Sequence, residues 1–140
     1  MKRIVIDTNV VLSFLTDRDL RQQVIAAGLL EGAASGLHQL VLHQLVITET
    51  VYVLRNLYQQ TPAVTAAVVR DLIDMPGIAV VDEMPWARLF EIWPHQSDSY
   101  ADSAIAALAG SGEYDSVATF DRDLRKLLRK LNVQVMPDKL

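Results

Sequence analysis

The sequence predicts an α/β fold, a three-layer sandwich in which a small parallel sheet lies between helices, with residues 1–140 forming one domain. Three observations carry that expectation. Short runs such as Arg3–Ile6 and Ile78–Val81 are apolar along their length rather than at alternate positions, as strands buried on both faces are. Segments long enough for helices separate these runs, so strands and helices alternate. With 140 residues, 51% of them apolar, the chain has material for one core that needs no crosslinks.

The elements follow in order. Arg3–Ile6 is a strand that stops at Asp7-Thr8-Asn9, after which Val10-Val11-Leu12 and Phe14-Leu15 begin a short helix. Asp17 or Asp19 opens a second helix that ends in the Gly/Ala/Ser stretch 32–36. Leu40–Leu42 reads as a short strand and Thr48–Gln59 as a helix. Thr61-Pro62 restarts a helix with proline at its first position, and Met75-Pro76-Gly77 stops it. Ile78–Val81 is a strand; helices follow from Met84-Pro85-Trp86 to Trp93 and from Asp98 to Ala109. Ser116–Phe120 is a strand, Asp121–Leu131 a helix and Val133–Met136 a final strand. There is no internal repeat, linker or low-complexity segment.

Composition narrows the class. The chain has no cysteine, which removes disulfides and thiolate metal sites together and suits a reducing compartment. The opening Met-Lys-Arg-Ile-Val-Ile-Asp does not fit a signal peptide, and His43, Gln44 and Glu49 interrupt the longest apolar stretches well short of a spanning helix. A cytoplasmic protein with no membrane partner is expected. The net charge of −4 weighs against a general nucleic-acid coat, unless several acids are gathered to hold cations that reverse the local field.

The acids are placed unevenly. Asp7 follows the first strand directly and Asp121 follows the 116–120 strand in the same way, so both face one edge of a parallel sheet, where sites of open sheets form. Each also suits the N-cap of the next helix, as do Thr8 and Asn9 near Asp7. Glu49 is the only acid between Glu31 and Asp71 and stands among apolar neighbours. It either meets a cation, gains from the start of a helix, or pairs with Arg55. Asp98 and Asp102 share a helix face four residues apart, a repulsive spacing unless a cation intervenes. Asp98 reads mainly as an N-cap, whereas Asp102 lies a turn further in. Hard divalent cations such as Mg²⁺ and Mn²⁺ take carboxylate oxygens and retain water, and they activate water for attack on phosphodiesters. Three to five converging acids suffice for that chemistry. His38, His43 and His95 lack zinc spacing and read as ordinary surface or partly buried residues.

The last helix sets Arg122, Arg125, Lys126, Arg129 and Lys130 opposite Leu124, Leu127, Leu128 and Leu131. That basic face either guides a polyanion toward the acids by phosphate contacts or is a solvated face that complements the helix C-terminus.

Four segments together resemble the PIN-domain family, in particular bacterial VapC-type toxins. They are Ile4–Leu12 around Asp7, Ile47–Leu54 around Glu49, Tyr100–Ala107 around Asp102, and Ala118–Leu124 with Thr119 and Asp121. Each is short, but their order and spacing across the chain are specific. The resemblance implies a small parallel sheet between helices and hydrolysis of RNA assisted by Mg²⁺ or Mn²⁺. It makes Asp7, Glu49, Asp102 and Asp121 the catalytic, metal-holding acids, with Thr8, Asn9, Asp98, Thr119 and Asp123 in support. Arg122, Arg125, Lys126 and Arg129 become candidates for RNA contact. It further implies a homodimer and a cognate antitoxin that covers the acidic edge.

Rival readings fit less well. A haloacid dehalogenase-type phosphatase wants a second Asp two residues after the strand-end nucleophile, where this chain has Asn9. A phosphorylatable receiver domain wants a Lys after a late strand, where Asp121 stands. A non-catalytic PIN-type scaffold, binding RNA or protein, is the alternative to an enzyme, but scaffolds of that kind have usually lost acids that this sequence retains.

Overall fold

A computed structural model describes residues 1–140 and contains five strands and seven helices. They are β1 (Lys2–Ile6), α1 (Thr8–Leu15), α2 (Leu20–Ala34), β2 (His38–His43), α3 (Gln44–Asn56) and α4 (Pro62–Ile73). Then come β3 (Ile78–Val81), α5 (Trp86–Ile92), α6 (Tyr100–Ala109), β4 (Ser116–Ala118), α7 (Arg122–Lys130) and β5 (Gln134–Met136). Every strand pair is parallel, in the order β3-β2-β1-β4-β5. The α/β sandwich expected from the sequence is what forms.

The order of the strands locates the site. From β1 the chain winds outward through β2 to β3, then crosses back to β4 and β5 on the other side of β1. Contacts among α1–α4 and among α5–α7 separate the helices into two layers, one for each winding direction. Between β1 and β4 the direction reverses, and the loops leaving their carboxyl ends diverge to opposite layers. Such a switch point opens a crevice in which open α/β sheets bind ligands.

One contiguous core holds the layers together. Ile4, Val5, Ile6, Leu40, Val41 and Leu42 of the two central strands are almost completely buried, and Ala104–Ala109 of α6 pack closely because their side chains are small. β3 is an edge strand, and its Val80 is exposed. Gly77 leads into it with φ +81°, and a Cβ there would come within 2.4 Å of the Ala33 carbonyl oxygen, so no other residue fits that turn. No helix is long and apolar enough to cross a membrane.

Several boundaries differ from expectation, each for a local reason. Asp19, rather than Asp17, caps α2 by accepting the Gln22 amide at 2.9 Å. β2 runs straight into α3, four residues earlier than Thr48, because the His43 ring accepts the Leu45 amide and starts the helix. α6 starts at Tyr100 because Ser99, and not Asp98, is its N-cap. The strand expected over 116–120 ends at Ala118, where the chain turns to form the site.

Candidate active site

The site begins one residue beyond the last β1–β4 pair, Ile6 with Ala118. The Asp7 amide still bonds the Ala118 carbonyl (3.0 Å), so Asp7 and Thr119 stand opposite each other at the sheet edge. Thr119 Oγ1 donates to Asp7 Oδ2 (2.8 Å) and accepts from Asn9 Nδ2 (3.2 Å) and the Asp121 amide (3.1 Å). One hydroxyl proton and two lone pairs are thereby all used, which fixes the threonine completely. Asn9 closes the clamp by accepting the Phe120 amide on Oδ1 at 3.1 Å.

The helix starts supply the rest. Asp7 caps α1 through the Thr8 amide (2.8 Å) and Asp121 caps α7 through the Asp123 amide (3.1 Å). Capping and site placement thus coexist in both residues. Glu49 comes from the second turn of α3 and accepts the Thr8 hydroxyl on Oε1 at 2.9 Å. It therefore gains nothing from a first-turn position, and Arg55 turns its guanidinium to the Gln60 carbonyl instead. Asp102 lies in the first turn of α6, not a turn further in as expected. Its amide is capped by Ser99 (3.1 Å), leaving the carboxyl free to face the other acids.

The electrostatics show how closely these groups crowd. Burial pushes the Asp7 carboxyl up to about 6 against the hydrogen bonds from Thr119 and Thr8, with Glu49 and Asp121 adding to the rise. Asp102 is pushed up to about 7 by burial, then by Asp121, Asp7, Glu49 and Asp123. The four acids singled out in the sequence, with Asp123, therefore feel one another across the switch point. Asp98 stands at the rim, in a cleft that also exposes Asp102, Asp123, Lys126 and Lys130.

One residue departs from the expected basic face. Arg125 is only 3% exposed, so it does not project outward with Arg122, Lys126 and Arg129. Its guanidinium donates to the carbonyls of Thr119 (2.9 Å), Pro137 and Asp138 (3.2 Å), tying the site loop to the chain beyond β5. Burial and the neighbouring Arg129 lower its pKa. The signal was present in the helix angle: Arg125 stands about 60° from Leu128, nearer the apolar stripe than its basic neighbours. Ser99 and His43, which set two helix starts, were also missed as caps. His38 and His43 are buried and bonded to the Leu29 and Glu83 carbonyls, so neither is a ligand in waiting.

A family model for the PIN domain matches residues 4–130, nearly the whole chain and all four acidic segments. The chain belongs to the PIN-domain family. Among solved structures similar to this PIN domain is VapC20 of Mycobacterium tuberculosis, described as a toxin that cleaves the sarcin–ricin loop. The TM-score is 0.64 at 16% identity, covering 88% of this chain and 93% of that one. At that identity the likeness shows a shared fold. No curated protein matches the chain in sequence.

The donor set of this PIN domain fits a hard divalent cation. It consists of carboxylate and hydroxyl oxygens. As they lie, no three His, Asp or Glu side chains are close enough to enclose an ion among themselves.

Proposed function

We propose that this PIN domain, acting as a single unit over residues 1–140, is a metal-dependent endoribonuclease and the toxin of a toxin–antitoxin pair. The observation that carries the reading is the convergence of Asp7, Glu49, Asp102 and Asp121 at the β1–β4 switch point, where burial and then the neighbouring acids raise Asp102 to about 7. Such crowding destabilises the empty fold, so it is retained for what the acids bind.

In this reading Asp7, Glu49, Asp102 and Asp121 hold the metal, which when bound polarises the scissile phosphate and lowers the pKa of the attacking water. Thr119 and Asn9 hold Asp7 and the β4 loop in register, and Thr8 orients Glu49. Asp98 and Asp123 at the cleft rim add negative charge near Asp102 but make no bond to it. The exposed Arg122, Lys126, Arg129 and Lys130 on α7 bind RNA phosphates. A cognate antitoxin and a homodimer follow from the family resemblance, as does a cytoplasmic setting. The likeness to a toxin that cleaves the sarcin–ricin loop supports RNA as the substrate, while 16% identity leaves the target sequence to experiment.

Incubating labelled total RNA with the purified chain in Mg²⁺, in Mn²⁺ and in EDTA, beside Asp102→Asn, tests the proposal. Discrete fragments are expected with metal and wild-type protein, and a loss of at least a hundredfold in rate with the variant or in EDTA. Equal cleavage by Asp102→Asn would remove the assignment. Metal binding without any cleavage would favour the scaffold alternative.

A further inference from the structure

Aromatic side chains stand exposed along α5 and the start of α6. Trp86 is 56% exposed, Phe90 55% and Tyr100 37%, and Trp93 lies half-buried between them. Trp86 and Phe90 recur at i and i+4 on one side of α5, and Trp93 is the residue that ends that helix. Their rings form a file: Trp86 and Phe90 lie near-parallel with centroids 6.3 Å apart, Phe90 and Trp93 are 6.1 Å apart, and Trp93 meets Tyr100 edge-on at 5.3 Å.

The file ends beside the acidic cleft. Trp93 Nε1 donates to the Asp98 carbonyl (3.3 Å), and Tyr100 is the first residue of α6, two before Asp102. Two residues at 100° each put Tyr100 and Asp102 on nearly opposite sides of that turn, about one helix width (roughly 10 Å) apart. A polynucleotide lying over the turn would cover that distance in a few nucleotides. Lys126 and Lys130 also line the cleft, where they can meet phosphates.

We infer that the Trp86–Phe90–Trp93–Tyr100 file is a stacking platform for unpaired bases of the RNA, a few nucleotides from the cleaved bond. It rests on the nuclease reading above for its substrate but adds a site that the acids do not provide. Aromatic faces accept any base, and stacking on them is a sequence-tolerant way to hold a single strand. Exposed apolar rings also serve protein contacts. Here the file ends, at Trp93 and Tyr100, beside the Asp98–Ser99 turn that lines a cleft holding both carboxylates and ammonium groups, so a strand with its bases on the rings has its phosphates within reach of Lys126 and Lys130.

The chain has two tryptophans, both in the file, so their fluorescence reports on it alone. We would titrate wild type, Phe90→Ala and Phe90→Tyr with an eight-residue oligouridylate and with the matching abasic ribose-phosphate oligomer, in EDTA so that the strand survives. Oligouridylate is expected to quench the fluorescence saturably and the abasic oligomer to leave it unchanged. Phe90→Ala should bind oligouridylate about tenfold more weakly, the loss of one stacked base, and Phe90→Tyr should bind as wild type. Equal affinity of Phe90→Ala and wild type, or equal quenching by both oligomers, would overturn the platform. So would a halved mass of Phe90→Ala in light scattering with its affinity per chain unchanged, which would give the file to self-association. The two readings fail separately: quenching without cleavage in any divalent cation removes the nuclease but keeps the platform, and cleavage indifferent to Phe90→Ala does the reverse.

Discussion

At the scale of single residues, the site buries carboxyls that also repel one another, so its stability depends on pH. In the folded, metal-free chain Asp7 is raised to about 6 and Asp102 to about 7, from an ordinary value of 3.8. Between roughly pH 4 and pH 7 the folded state therefore binds more protons than the unfolded one, so stability falls as pH rises through that window. In EDTA the urea midpoint of wild type should be higher at pH 5 than at pH 8. Asp102→Asn should be more stable than wild type at pH 8 and show a shallower decline, and Mn²⁺ should raise wild type more than the variant. A wild-type midpoint that is flat or rises with pH would contradict the crowding. Much of this scale was legible in the sequence: Glu49 alone in an apolar stretch and two acids at strand ends pointed to the same edge. Thr119 as the fully bonded centre of the clamp was not, because its partners Asp7 and Asn9 lie more than a hundred residues away.

At the scale of elements, α7 separates two kinds of cation. Leu124, Leu127 and Leu128 are buried as the amphipathic pattern requires, while Arg125 at the stripe's border folds inward onto three carbonyls. Replacing it with methionine leaves those acceptors unpaired and should cost about 3 kcal/mol in chemical denaturation. Lys126→Ala should leave stability unchanged and weaken RNA binding, lowering the salt dependence of binding by about one phosphate contact. If Arg125→Met is as stable as wild type and only RNA binding suffers, the structural role given to Arg125 is wrong. Helix existence was readable from periodicity throughout. Helix starts were less so where the cap was unconventional: His43 caps α3 with its ring, and Ser99 rather than the adjacent Asp98 caps α6.

At the scale of the whole molecule, alternating strands and helices made a parallel sandwich predictable, but not the strand order. That order depends on which strands pair across the chain, as β1 does with β4 more than a hundred residues later. The order matters most for function, since it creates the switch point where acids from both helix layers meet. The proposed homodimer is tested at this scale as well. Light scattering at micromolar concentration should give twice the 15.6 kDa chain mass, and a monomeric mass would count against it.

The proposed nuclease requires the four acids to form one cation site at this edge. This requirement is tested most directly by soaking crystals of the protein in Mn²⁺ and locating the ion by its anomalous scattering. A peak is expected between Asp7, Glu49, Asp102 and Asp121, at the carboxyl ends of β1 and β4. Saturating Mn²⁺ with no peak there, or a peak bound only by other residues, would contradict it.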